Sequence, residues 1–545
     1  MPTGGQLLIQ CLEEQGVDRI FCVPGESYLA ALDAMHDAKI EVINARQEGG
    51  AAMMAEADGK LTGRPGICFV TRGPGATNAA AGVHVAKQDS TPMILFVGQI
   101  GRRMRGREAF QEVDYRQTFR DLAKWVEEID YADRIPEIIS HAWHIALSGR
   151  PGPVVIALPE DMLRDEVDAL PAPYVSVADP APTPPQIDQL SDMLAGAKRP
   201  FMILGGGRWD AEAKQAAEDF SAAHDLPTAV TFRRQQLFDH LHPNYAGDMG
   251  PGMNPGLRKG IEEADLILLV GGRMSEMPSQ GFELLSFPKT QVPLIHVHPG
   301  AEELGRIYAP ALGINATPST FFKAADAVPA QTSQGRGAEA HIAYRGWTDT
   351  PPDTPGDAQM GPIMAFLREA SPEAIVANGA GNYAIWVHRF WRFRGYGKQL
   401  APTSGSMGVG LPGALAAKLR CPGQEVICFA GDGCFQMTSQ EFGVAAQYGL
   451  PIIVIVVDNE AYGTIRMHQE RDYPTREVGT ALVNPDFAAI ARAYGGHGET
   501  VLKTEEFAPA FERARASGKP AIIHVKTDAE AISPTTTISK LRGKV

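Results

Sequence analysis

Strand-length apolar runs, each closed by a turn rich in glycine and separated from the next by a helical stretch, recur along this chain. Residues 20–23 (IFCV) run into Pro24-Gly25, 67–70 (ICFV) into Thr71-Arg72-Gly73-Pro74-Gly75, and 93–97 (MILFV) into Gly98. A helix rich in alanine and methionine is predicted over 48–60, after the short strand 41–43. Strands that are apolar on both faces need cover on both faces, so the pattern predicts a largely parallel sheet between helices. It repeats at 201–204, 266–270 and 294–297, and again at 374–377, 426–430, 452–457 and 521–525. The proline-rich stretch 180–185 and a polar stretch from 331 to 360 read as connections. The expected architecture is three α/β domains, at 1–175, 190–330 and 360–528, with a tail at 529–545 that lacks periodicity and drapes over another domain.

Composition narrows the function classes. With 44% hydrophobic and 21% charged residues the chain can bury large cores, which excludes a disordered tail protein. A formal charge of -14 disfavours nucleic acid and anionic membrane as partners. The six cysteines form no CxxC pair, which leaves neither a redox motif nor a zinc knuckle. No apolar run reaches about 18 residues, and the first residues lack the basic start and apolar core of a signal peptide. A soluble, cytoplasmic protein acting on small molecules is expected.

The most specific motif lies in the third block. Gly431-Asp432-Gly433 follows one apolar strand and Asp458-Asn459 ends another, with 24 residues between Gly433 and Asp458. That interval holds one helix and one strand, so both ends return to the same edge of a parallel sheet. Asp432 offers one hard oxygen ligand, Asn459 a second, and a backbone carbonyl just beyond, that of Ala461, a third. Such ligands suit magnesium, with phosphate oxygens completing its octahedron. The flanking glycines let the chain turn tightly and let amide donors reach a phosphate. An isolated Gly-Asp-Gly is usually a surface turn; the spacing and the two strand contexts favour the cation site.

This Gly-Asp-Gly to Asp-Asn pattern is similar to the magnesium and diphosphate motif of thiamine-diphosphate enzymes. The run GDGCFQMTSQEFGVAAQYGLP resembles the acetolactate synthase catalytic subunit over nearly the whole chain. The resemblance implies the thiamine-diphosphate-enzyme fold, with a pyrimidine-binding, a central and a diphosphate-binding domain. It also implies an obligate homodimer, doubled to a dimer of dimers, in which two chains build each site. In 44–52 (NARQEGGAA) it puts Glu48 at the glutamate that hydrogen-bonds the pyrimidine N1′ and starts an acid–base relay. Pro24, Gly25, Thr71, Gly75 and Asn78 match the neighbouring cofactor loops. Gly379, Gly381 and Asn382 match a second diphosphate-contacting turn, in which Asn382 donates to a phosphate oxygen. Ser406 and Met407 match the element whose large apolar residue, Met407, props the bent cofactor. Tyr462, Gly463, Thr464 and Ile465 continue the cofactor-binding stretch. Gln111, with Phe110 lining the same cavity, matches the glutamine that faces the reacting acyl group from the partner subunit, and His84 is a candidate to orient the intermediate. Cys434 sits beside the diphosphate turn as a small filler, because this chemistry requires no thiol.

The resemblance implies decarboxylation of a 2-oxo acid and transfer of the acyl carbanion to an acceptor. Two departures bear on that acceptor. Biosynthetic acetolactate synthases carry a Gly-Ala-Arg-Phe-Asp-Asp-Arg stretch associated with flavin, whereas 270–277 reads VGGRMSEM. Gly205-Gly206-Gly207 also lacks a full dinucleotide fingerprint, so FAD is left open but not favoured. His468 stands in the position of a tryptophan, replacing an apolar wall with a smaller, titratable ring. A lyase or simple decarboxylase acting on another ketone, 2-oxo acid or acyl-CoA remains the alternative. A flavin-only oxidoreductase and a non-catalytic scaffold rank below it.

Overall fold

The computed structural model describes residues 1–330 and 334–543. It contains three six-stranded sheets in which every paired strand runs parallel to its neighbour. The first is built from β1 (Arg19–Cys22), β2 (Glu41–Asn44), β3 (Gly66–Val70), β4 (Met93–Gln99), β5 (Trp125–Glu128) and β6 (Pro153–Pro159), in the order β2-β1-β3-β4-β6-β5. The second comprises β7 (Pro200–Leu204), β8 (Thr228–Thr231), β9 (Tyr245–Met249), β10 (Leu266–Val270), β11 (Leu294–His298) and β12 (Leu312–Asn315), ordered β12-β11-β10-β7-β8-β9. The third comprises β13 (Ile375–Asn378), β14 (Gln399–Leu400), β15 (Val426–Gly431), β16 (Ile453–Asp458), β17 (His497–Val501) and β18 (Ala521–Lys526), ordered β14-β13-β15-β16-β18-β17. The third sheet therefore repeats the topology of the first. In both, the strand order reverses beside the first strand, and open α/β sheets bind ligands at the carboxyl ends of strands at such a point.

The chain forms two compact units. One comprises Met1–Ala178 with Leu415–Pro422 and Thr438–Leu450; the other comprises Asp179–Ala414, Gly423–Met437 and Pro451–Val545. In the first unit, the Glu48–Thr62 helix is buried from Gly49 to Gly59 and is rich in glycine and alanine. It packs on the Pro74–Asp89 helix where Gly82 leaves room, since a Cβ there would lie 2.4 Å from that of Ala52. This close approach sets the first turns of both helices side by side.

Two stretches differ from expectation. Within the polar stretch 331–360, of which 331–333 lie outside the described residues, Arg336–Thr348 is a helix. Its Tyr344 is buried in the core of the second sheet, so one apolar anchor per few turns was enough to dock a mostly polar helix. The described part of the tail, to residue 543, has a docked helix that sequence periodicity did not show. Its Ile538–Arg542 helix packs Ile538 and Leu541 with Ile532 against Met467 of the Gly463–Asp472 helix, in its own block.

Arg542 fastens the tail by two hydrogen bonds of 2.9 Å to the buried carboxylate of Glu470, which also pairs with Arg466. Removing the guanidinium in Arg542→Ala is expected to weaken this dock, seen as faster amide hydrogen exchange across 538–543. The Arg542 hydrogen bonds hold the Glu470 carboxyl down from the ordinary 4.5 to about 2. Because the folded value is the lower one, the dock is at full strength above about pH 4.5 and weakens as pH falls toward 2. Exchange protection of the tail at pH 6 and pH 3, corrected for intrinsic rates, checks the sign.

Candidate functional site

In the second unit, the carboxyl ends of β13, β15 and β16 open onto a cavity of about 250 Å³. Gly431 ends β15 and Asp432 begins the short Asp432–Gln436 helix. Asp458 ends β16 and Asn459 follows it. Asp432 and Asn459 both line the cavity, so the structure brings together the two side-chain oxygens that the spacing predicted. The side chain of Asn459 makes no hydrogen bond to a described residue. Glu460, next in the chain, takes a left-handed φ of 57° and is tied through its carboxylate to Lys526 at 2.7 Å. Such backbone strain is stored where surrounding contacts over-determine a turn. Ala461 is held by a bridge to Ala481, whose flanking bonds include Tyr462 N–H to the Thr480 carbonyl at 2.9 Å. Gly433 is required by Tyr462, because a Cβ would lie 2.5 Å from that ring.

Asp432 is fixed by its neighbours. Its Oδ1 accepts the Gly433 amide at 2.8 Å and its Oδ2 accepts Asn484 Nδ2 at 2.7 Å. The same Asn484 Nδ2 donates to Asp458 Oδ1 at 2.7 Å, while Gln436 donates to the Asn484 Oδ1 at 2.9 Å. One amide thus spends both protons on two buried carboxylates, and its orientation is locked from behind. Burial pushes the Asp432 carboxyl up to about 6. Asp458 is also buried, but hydrogen bonds from His524 at 2.7 Å and Lys526 at 3.0 Å hold its carboxyl well below the usual range. Sequence spacing gave no sign of Asn484, which lies in a loop before the Phe487–Ala493 helix.

The remaining predicted residues of this half divide. Gly381, Asn382, Met407, Gly431, Gly433, Cys434, Ala461, Tyr462, Gly463, Thr464 and Ile465 all line the cavity, whereas Gly379 and Ser406 stand behind its wall. The Gly379 amide donates to Tyr383 Oη, and Ser406 pairs with Ser404 at 2.8 Å. Asn382 differs from expectation. Its Nδ2 donates to the Ile532 carbonyl at 2.9 Å and to Met467 Sδ at 3.5 Å, and its Oδ1 accepts Thr464 Oγ1 at 2.8 Å, so its amide ties the tail down rather than pointing an unspent donor at a phosphate. Cys434 is more than filler: its Sγ accepts the Gly408 amide at 3.2 Å and lies 3.3 Å from Tyr383 Oη.

The first unit presents a second constellation. Glu48 is the first residue of its helix, capped by Gln47, whose side chain accepts from the Gly49 and Gly50 amides. Asn78 Nδ2 donates to Glu48 Oε2 at 3.0 Å, and a Cβ on Gly75 would lie 3.4 Å from Glu48 Oε1. Thr71 pairs with Ser27 at 2.8 Å and fills the space beside Gly25, while Pro24 is exposed. Glu441 is the residue that sequence reasoning missed here. Its carboxylate accepts the Arg46 amide at 3.1 and 3.2 Å, just ahead of Glu48, and burial pushes it up to about 7. Gln111 sits against Gly73 with a left-handed φ of 65°. Phe110 beside it is 76% exposed, so no cavity within this unit encloses it. His84 is half-buried on the Pro74–Asp89 helix and no hydrogen bond joins it to Gln111.

Comparison with known proteins decides the family. Residues 2–118 match the family described as thiamine pyrophosphate enzyme, N-terminal TPP binding domain; 187–325 match its central domain and 379–525 its C-terminal TPP binding domain. The acetolactate synthase isozyme 2 large subunit of Escherichia coli (strain K12) is 29% identical over 96% of this chain and 96% of its own length. The acetolactate synthase large subunit of Corynebacterium glutamicum is 30% identical over 96% of this chain and 86% of its own. That of Lactococcus lactis subsp. lactis is 32% identical over 90% and 87%. The chain belongs to the thiamine pyrophosphate enzyme family.

This thiamine pyrophosphate enzyme is of the decarboxylase and carboligase kind, and its donor set fits the cofactor. A carboxylate, an amide oxygen without a hydrogen bond and a glycine-bordered turn line one cavity, as a cation-bound diphosphate requires. Among the described residues of the enzyme no three His, Cys, Asp or Glu side chains cluster as a self-sufficient metal site, and no helix is long and apolar enough to cross a membrane. Asn484→Ala would leave Asp432 Oδ2 without a donor, while Asp458 Oδ1 keeps the Glu460 amide at 3.0 Å. It is expected to destabilise the cofactor-free enzyme by about 1–3 kcal/mol, seen as a lower thermal unfolding midpoint, with Asn484→Gln giving no rescue because the longer side chain cannot keep both bonds.

Proposed function

We propose that this enzyme is a thiamine-diphosphate- and magnesium-dependent carboligase of acetolactate-synthase type, which decarboxylates a 2-oxo acid and transfers the acyl unit to an acceptor. The observation that carries the proposal is the pairing of Asp432 and Asn459 on one cavity at the reversal point of the third sheet. Asp432, Asn459 and the Ala461 carbonyl would hold the magnesium, and the turn amides at Gly431 to Cys434 the diphosphate. Bound thiamine diphosphate supplies the electron sink for loss of carbon dioxide. The protein's part is to hold charge, orient groups and move one proton.

Glu48 is assigned that proton. Asn78 pins Oε2, which leaves Oε1 as the atom that gives and takes it. Glu441, buried behind Arg46, fixes the turn from which the Glu48 helix starts. The two halves belong to separate units, and we place each complete site between two copies of the chain, as an obligate homodimer doubled to a dimer of dimers. Phe110, too exposed to belong to a core, and Gln111 with its constrained backbone are then assigned to the acyl pocket. His468 lines a larger chamber beside the cofactor cavity. A titratable ring there favours an acceptor other than that of the biosynthetic enzymes, including the lyase or simple-decarboxylase outcome. FAD is not favoured, because Gly205-Gly206-Gly207 lacks a full dinucleotide fingerprint and 270–277 reads VGGRMSEM.

Glu48→Gln is expected to lower kcat by about 10²–10⁴-fold while thiamine diphosphate still binds, measured by calorimetry on the same sample; unaltered turnover would remove Glu48 from the relay. Dialysis against a chelator should abolish carbon dioxide release from a panel of 2-oxo acids, and magnesium should restore it. Product analysis of that panel distinguishes a coupled ketone from a free aldehyde, and no carbon dioxide from any member would end the proposal.

A further inference from the structure

The second unit holds another cavity, of about 680 Å³, at the carboxyl ends of β8 and β9. It shares Gly381, Asn382, Gly405 and Thr464 with the cofactor cavity, so the two adjoin there. One wall is a single face of the Tyr383–Phe390 helix, running from its cap Asn382 through Ile385 to Arg389. At 1.5 Å per residue that face carries Arg389 about 10 Å beyond the shared mouth. The opposite wall is Thr464, Met467 and His468, spaced for one face of their own helix.

Arg389 is built to stay where it is. Its guanidinium lies 3.6 Å from the Trp347 ring centroid, and Nε and Nη2 both donate to the Trp347 carbonyl, at 3.1 and 3.0 Å. Nη1 makes no hydrogen bond to a described residue. Burial pulls the Arg389 guanidinium down to about 10, as expected of a cation half withdrawn from water without a carboxylate partner. The acidic groups on the chamber are Glu276, exposed at its rim, and Asp248, whose buried carboxyl is pushed up to about 7. Apolar Met253, Met277, Ile385 and Met467 line the space between the mouth and Arg389.

A 2-oxo acid carries its carboxylate one carbon–carbon bond, about 1.5 Å, from the reacting carbonyl. That carboxylate cannot reach Arg389 while the carbonyl stands at the mouth. We propose that the chamber seats a substrate with an elongated apolar body and a remote oxyanion, carboxylate or phosphate, which Arg389 binds at the far end. The proposal rests on the carboligase assignment and narrows its substrate class.

The test is calorimetric binding of three unreactive probes to the magnesium- and thiamine-diphosphate-loaded enzyme: octanoate, octyl phosphate and 1-octanol. At least one anion should bind tenfold or more tightly than the alcohol, and which of the two does so separates the carboxylate from the phosphate source. Arg389→Met should erase that preference and leave octanol binding within twofold. Ile385→Trp, which fills the chamber midway with Arg389 intact, should weaken the favoured anion at least tenfold, and it decides the matter if Arg389→Met does not fold. Equal affinity for anion and alcohol, or anion binding indifferent to both substitutions, overturns the proposal. Carbon dioxide release from the panel of 2-oxo acids, measured on the same preparation, separates the two assignments. Release without Arg389-dependent binding sinks only the chamber, and Arg389-dependent binding without release from any 2-oxo acid sinks only the reaction.

Discussion

A buried carboxylate at the end of a parallel strand, Asp432, is the interaction on which the cofactor half of the site depends. Parallel strands deliver their carboxyl ends to one edge, and the reversal of strand order beside β13 opens that edge to a ligand. An acid placed there is costly to bury unless donors satisfy it. Asn484 meets that cost for Asp432 and Asp458 together, and His524 and Lys526 stabilise the second carboxylate further. The result is two acids one amide apart with opposite environments. One is held ionised by hydrogen bonds from His524 and Lys526; the other is pushed up by burial and lines the cavity.

The first sheet repeats the topology of the third but is furnished differently. Where the third sheet offers oxygen ligands, the first offers a helix start, Glu48, oriented by Asn78 and braced from behind by the buried Glu441. One strand order, used twice, thus presents a pair of oxygen-bearing side chains in one sheet and an oriented glutamate in the other. The second sheet has a different order and contributes loops around a wide chamber instead. In the second unit, one helix lines that chamber; its cap, Asn382, is tied to the tail and its last turn holds Arg389.

Legibility followed the continuous apolar run. The strands visible as apolar runs are mainly those in the middle of the sheets, covered on both faces. Those that escaped notice are the edge strands β5, β9, β12, β14 and β17 and the interior β8, whose sequences (WVEE, YAGDM, LGIN, QL, HGETV and TAVT) are too short or too mixed with polar residues and glycine to form a continuous apolar run even where they are buried. Arg336–Thr348 escaped for a related reason, since it is polar around most of its circumference and is held by Tyr344.

The linear order of residues by itself determined the parallel α/β architecture, the spacing that brings Asp432 and Asn459 to one cavity, and the helix start at Glu48. Each of these is a local pattern: a strand, a turn and a helix read within a few dozen residues. Only the tertiary structure decided that Asn484 clamps both acids, that Glu441 braces the Glu48 turn, that Asn382 is spent on the tail, and that Arg389 stands at the end of a long chamber. Those contacts join residues dozens to hundreds of positions apart, or depend on which face of a helix meets a cavity. Their partners are chosen by packing and by the need to satisfy buried charge, neither of which leaves a periodic mark on the sequence.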